Sequence, residues 1–98
     1  FKPKEIVKSV NNDNSLALKV YPNPARNSIT VEYITTGNKN TAIEIFNITG
    51  KRIVNRHEQQ PAGLRRSVIN TQNYRNGIYL LWITTGNQTA VKRFVVDR

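Results

Sequence analysis

The 98-residue sequence has no cysteine, no methionine, one histidine and one tryptophan. No apolar run approaches the ~20 residues that a membrane-spanning helix needs, so no membrane span is expected. With His57 as the lone imidazole and no thiol, a zinc site lacks ligands. The carboxylates Glu5, Asp13, Glu32, Glu44, Glu58 and Asp97 are scattered along the chain, and no elbow motif surrounds any Ser or Thr that His57 could activate. His57 beside Glu58 therefore reads as a solvated surface residue. The cluster Asn11-Asn12-Asp13-Asn14-Ser15 lacks the alternating carboxylates, central Gly and closing Glu of a calcium loop. No catalytic residue, metal or cofactor is expected, and the chain reads as a non-enzymatic domain. The lack of Cys fits either a reducing cytosol or a secreted domain that holds together without disulfides. With neither a leader shape nor an initiating Met at Phe1, the chain reads as a piece of a longer protein.

Acids are scarce too. Fifteen Lys and Arg against six Asp and Glu give a net charge of +9, a field that attracts polyanions. A nucleic-acid binder would gather its bases on one face among exposed aromatics. Here Lys19, Arg26, Lys51-Arg52, Arg56, Arg65-Arg66, Arg75 and Lys92-Arg93 are spread over nearly every segment, so no nucleic-acid partner is expected.

The apolar residues that remain alternate with a period of two. Ile78 to Ile83 is the one unbroken apolar run, bounded by Asn76-Gly77 and by Thr84-Thr85-Gly86-Asn87, which predicts a buried central strand. Alternation sets Tyr79, Leu81 and Ile83 on one face and Ile78, Leu80 and Trp82 on the other; both faces call for cover, and Trp82 is expected under the second sheet or an edge element. Upstream, Leu18 to Tyr21 predicts an edge strand ended by Pro22 and Pro24, because a proline cannot donate to a ladder. Asn23, between them, is suited to bond local backbone groups through its amide. Ser28 to Ile34 alternates with Ile29, Val31 and Tyr33 inward, a loop follows at Thr35 to Asn40, and Thr41 to Phe46 places Ile43 and Ile45 on one face. A turn with Gly50 at a position wanting positive φ leads to a returning strand, Arg52 to Arg56. Gln60 to Gly63 turns the chain into Leu64 to Asn70. The last strand, Gln88 to Val96, carries Ala90, Lys92, Phe94 and Val96 on one face and Val91, Arg93 and Val95 on the other. About seven short strands without a helical pattern predict an all-β sandwich in preference to a barrel. The pentapeptide Ile34-Thr35-Thr36-Gly37-Asn38 recurs as Ile83-Thr84-Thr85-Gly86-Asn87 and reads as two similar hairpin turns.

Four of these pieces, in order, resemble one family: Leu18-Lys19-Val20-Tyr21-Pro22-Asn23-Pro24-Ala25, the Gly50-Lys51-Arg52-Ile53-Val54 hairpin, Gly77 to Ile83, and Val91 to Val96. Together they are similar to the C-terminal sorting domain of type IX (Por) secretion cargo in Bacteroidota. The resemblance implies an immunoglobulin-like β-sandwich of about seven antiparallel strands over residues 16–98, with residues 1–15 a linker from an upstream cargo domain. It implies recognition by the outer-membrane translocon, removal by a surface sortase-like protease, and attachment of the cargo to anionic lipopolysaccharide, hence a secreted or cell-surface destination. The recognition residues it points to are Tyr21, Pro22, Asn23 and Pro24; Gly50; Gly77 and Tyr79; and Lys92, Arg93, Phe94, Val95 and Val96. The final strand, at a sheet edge, is suited to strand addition by a partner or to self-association. Two positions depart from the family: Asn70 where Asp is frequent, and Tyr74 where Leu is frequent. The alternatives are a basic β-sandwich module binding a polyanion, or a carbohydrate-binding module, which would need Trp82 and neighbouring Tyr exposed as a platform.

Overall fold

Alternating β-branched and polar residues build strands β1 (Lys19–Tyr21), β2 (Ser28–Thr35), β3 (Lys39–Phe46), β4 (Arg52–Gln60), β5 (Gly63–Asn70), β6 (Gly77–Thr85) and β7 (Gln88–Val96) in the computed structural model. It describes residues 16–37 and 39–98; the linker expected at residues 1–15, with its extended piece at Ile6-Val7, lies outside them. Every strand pairing is antiparallel, and no helix occurs among the described residues. A three-stranded sheet in the order β1-β2-β5 faces a four-stranded sheet in the order β4-β3-β6-β7, which is the expected sandwich.

Register brings the core together. Ile43 lies opposite Ile83 and Ile45 opposite Leu81, while Ile29 lies opposite Ile69 in the other sheet. These residues, with Val31, Tyr33, Tyr79, Phe94, Val96, Leu16 and Leu18, form one buried cluster between the sheets. Each large apolar side chain there contributes on the order of 1.5–3 kcal/mol by leaving water.

Three expectations need correction. Only one face of β6 is fully covered: Tyr79, Leu81 and Ile83 are buried, but Ile78 is exposed and Leu80 and Trp82 are half-buried on the outer face. Trp82 is not under the second sheet; it tilts against Phe46 with ring centroids 5.8 Å apart, beside an irregularity between Ile45 and Phe46. Second, the repeated pentapeptide does two jobs. Gly86, at φ +61°, turns β6 into β7 within one sheet, whereas the chain after Thr35 passes from the three-stranded to the four-stranded sheet. Third, β3 starts at Lys39 and β4 runs to Gln60, both beyond the apolar signal that marked them.

The β4 extension closes one side of the sandwich with polar groups. Arg56, Glu58 and Gln60 alternate on its inner face, and the Glu58 carboxylate accepts hydrogen bonds from Tyr33 Oη at 3.2 Å, Gln60 Nε2 at 3.0 Å and Ser67 Oγ at 2.8 Å. Arg56 Nη1 donates to Val68 O across the gap, 3.1 Å away. Burial pushes the Glu58 carboxyl up, but the bonds from Gln60, Ser67 and Tyr33 and the charge of Arg56 outweigh it, leaving it below the ordinary value. Burial, followed by the Glu58 charge, pushes the Tyr33 phenol up to about 12. A carboxyl depressed on folding adds stability at neutral pH that is lost as pH falls through its folded pKa. Thermal midpoints measured from neutral pH down past the ordinary value of 4.5 should therefore fall in the wild type and fall less in Glu58→Gln; parallel curves would contradict this role.

Candidate recognition surface

Pro22 and Pro24 cannot donate main-chain hydrogen bonds, so the segment after β1 cannot continue a ladder. Both Tyr21–Pro22 and Asn23–Pro24 are cis. The segment crosses instead to the end of β7. Asn23 does not bond local backbone as expected; its Oδ1 accepts from Val95 N–H at 3.0 Å. Ala25 N–H donates to Val95 O at 2.7 Å, and Asp97 N–H donates to Ala25 O at 2.9 Å. Ala25 and Val96 form a parallel bridge, with both side chains buried. Two motifs that lie far apart in sequence are thus clasped into one unit.

Tyr21 is 40% exposed on the outer face, where its hydroxyl donates to Glu32 Oε1 at 3.0 Å and Arg66 Nε donates to the same oxygen at 3.0 Å. Those bonds, that from Tyr21 first, hold the Glu32 carboxyl below its ordinary value. Lys92 and Arg93 are exposed and Val95 is half-buried, while Tyr79, Phe94 and Val96 belong to the core. Tyr79 stacks on Phe94 at 5.6 Å and donates from its hydroxyl to Arg75 O at 2.7 Å. Gly50 adopts φ +88° in the β3–β4 turn, where Asn47 Oδ1 accepts from Thr49 N–H at 3.1 Å and Lys51 N–H at 3.0 Å. Gly77 has φ +156°, and a Cβ there would meet nothing within 4 Å, so backbone conformation and not crowding favours glycine. Register sets Gly77 opposite Val96 and Phe46 opposite Leu80, so the β3–β4 turn, Gly77 and the Asn23–Val95 clasp lie at one end of the sandwich.

Sequence reasoning missed Arg98. Its guanidinium donates to Arg26 O at 2.8 Å, to Thr71 O at 2.9 Å and to Tyr74 O, and its N–H donates to Asn76 Oδ1 at 3.0 Å. No local pattern marks a terminal Arg as the tie between two loops. The two family departures fit locally. Asn70 Oδ1 accepts from Gln72 N–H at 2.8 Å, and Tyr74 packs against Tyr79 at 5.2 Å, with burial raising its phenol pKa.

A half-buried Trp82 against Phe46 is not an open sugar platform. Among the described residues no group of three or more His, Cys, Asp or Glu could hold a metal ion, and no helix is long and apolar enough to cross a membrane. The family model described as a secretion system C-terminal sorting domain matches residues 19–97. Comparison with curated proteins finds no match.

Proposed function

The chain belongs to the secretion system C-terminal sorting domain family, whose members are type IX sorting signals, and from that premise we propose that the translocon recognises the clasped end of this sandwich. The Tyr21–Ala25 segment would supply its fixed contour, and Lys92 and Arg93 the adjoining charge. Residues 1–15 act as the linker to a cargo domain. After export across the outer membrane, a surface sortase-like protease removes the domain and joins the cargo to anionic lipopolysaccharide, leaving the cargo at the cell surface or secreted. A sorting role asks for a folded shape and not for chemistry, which makes this a non-enzymatic domain.

The observation supporting this surface is the Asn23 to Val95 hydrogen bond, which links the proline motif to the last strand. The test uses a secreted reporter fused ahead of residue 1, carrying Lys92→Glu with Arg93→Glu. Both side chains are exposed, so the thermal midpoint should shift little while surface delivery falls by roughly tenfold or more, the equivalent of about 1.4 kcal/mol in recognition. Unchanged delivery would rule out this surface. Mass spectrometry of the delivered reporter should find the domain gone and a lipopolysaccharide adduct at the new C-terminus; an intact fusion would contradict the removal step.

A further inference from the structure

Strand β7 is an outer strand of its sheet, and β1 is an outer strand of the other. Between them lies a cleft of about 420 Å³ lined by Leu18 to Tyr21, Asn23, Lys92 and Arg93. The main-chain groups of Val95 face away from β6, since its N–H meets Asn23 Oδ1 and its C=O meets Ala25 N–H. In an antiparallel ladder such groups alternate with period two, so those of Arg93, Val91 and Thr89 face the same way. The clasp closes this edge at Val95, and among the described residues no strand pairs with it from Thr89 to Arg93.

The charge at this edge has one sign. Lys92 lies opposite Leu81 and shares the inner face with the buried Ala90 and Phe94, yet it is exposed. Among the described residues, Lys19 and Arg93 are the other charged ones lining the cleft, and no carboxylate lines it. None of these three cations forms an ion pair with a described residue. Lys19 lies opposite Glu32, whose carboxyl is held down by the bonds from Tyr21 and Arg66 and, with them, by the charge of Lys19, so Lys92 and Arg93 are the pair of cations left to a partner. An inward-facing charge on an edge strand opposes pairing with a second copy, because β7 against β7 would set Lys92 and Arg93 against like charges. A segment of opposite sign meets no such barrier.

We propose that this cleft and the β7 edge beside it bind an extended acidic peptide segment, which adds to β7 through main-chain hydrogen bonds at Thr89, Val91 and Arg93 and, because Lys92 and Arg93 project to opposite faces of the strand, sets two consecutive carboxylates against them. The main chain supplies affinity, and the two adjoining acidic side chains, one on each face, supply selectivity. The clasp fixes the register by stopping the added strand before Val95. This deepens the recognition reading above and rests on it for the partner's setting, a translocon component that offers an acidic strand.

The test uses the purified chain and a short fluorescein-labelled peptide with a central Glu-Glu pair flanked by Val and Thr. Fluorescence anisotropy should saturate, and hydrogen exchange should slow at the amides of Thr89, Val91 and Arg93 but not at Val95, which is already bonded. Lys92→Glu with Arg93→Glu should weaken binding by roughly tenfold or more, since each reversal turns attraction into repulsion. Should that variant fold poorly, the exchange pattern of the wild-type chain still decides. Equal binding of the same peptide methylated on alternate backbone nitrogens, or binding without exchange protection, overturns the proposal: the surface would then read charge alone, as a polyanion binder does. Concentration-dependent dimerisation that blocks the peptide also overturns it. Failure of the sorting reading would show separately, as reporter delivery that ignores the translocon while peptide binding persists.

Discussion

A chain shortened after Arg93 is expected to lose its cooperative thermal transition altogether. Phe94 and Val96 are fully buried, and Phe94 stacks on Tyr79 within the core. Truncating a buried Phe to Ala alone costs on the order of 3–5 kcal/mol. The deletion also removes Val95, which holds Asn23 and Ala25, and Arg98, which ties Arg26 to Thr71 and Tyr74. Small domains have only about 5–15 kcal/mol in total, and one of this size sits toward the lower end. Circular dichroism on heating should therefore show a broad, non-cooperative change. A sharp transition with a modestly lower midpoint would mean that the last strand is an appendage and not a wall of the core. Loss of export in such a deletion would report unfolding before it reported recognition, which is why the charge reversals at Lys92 and Arg93 are the better probe of the surface.

Leu81→Ala should destabilise the domain by roughly 2–5 kcal/mol, whereas Ile78→Ala should cost far less. The two residues share a strand and both are apolar, but Leu81 is 0% exposed between the sheets and Ile78 is 39% exposed on the outer face. Leu81 lies between Ile45 of β3 and Lys92 of β7, at the middle of a sheet that cannot collapse easily around a void. Urea midpoints should separate the two variants, with similar slopes if both unfold in two states. In a domain of this size each kcal/mol moves the thermal midpoint by about 4–8 °C, so the gap should be plain on heating as well. Equal losses at the two positions would contradict the face assignment of β6.

The contrast between those two residues also shows what the sequence could and could not reveal. In β2 and β3 the inward residues are β-branched or aromatic and each has Ser28, Thr30, Glu32 or Glu44 beside it, so Ile29, Val31, Tyr33, Ile43 and Ile45 declared their face. In β6 both alternations are apolar, and the pattern could not say that the outer face is covered only in part, with Trp82 leaning on Phe46. Strand β4 hid its full length for the opposite reason. Its inner face from Arg56 to Gln60 is polar because it closes the side of the sandwich through Glu58, Ser67 and Tyr33, and a hydrogen-bonded seam has no hydropathy signature. For the recognition surface, the prolines made the end of β1 legible and the exposed Lys92 and Arg93 were visible as a pair of charges. The bond from Asn23 to Val95 was not, since it joins residues 72 apart and nothing local distinguishes it from an ordinary Asx turn.

The most direct measurement places a reporter with a secretory leader ahead of this chain, in cells with a working type IX translocon and in matched cells lacking it, and tests whether external protease reaches the reporter. A sorting domain predicts surface exposure only when both the chain and the translocon are present, with the reporter retained inside the outer membrane when either is missing. A reporter that reaches the surface equally well without the chain, or without the translocon, would contradict it.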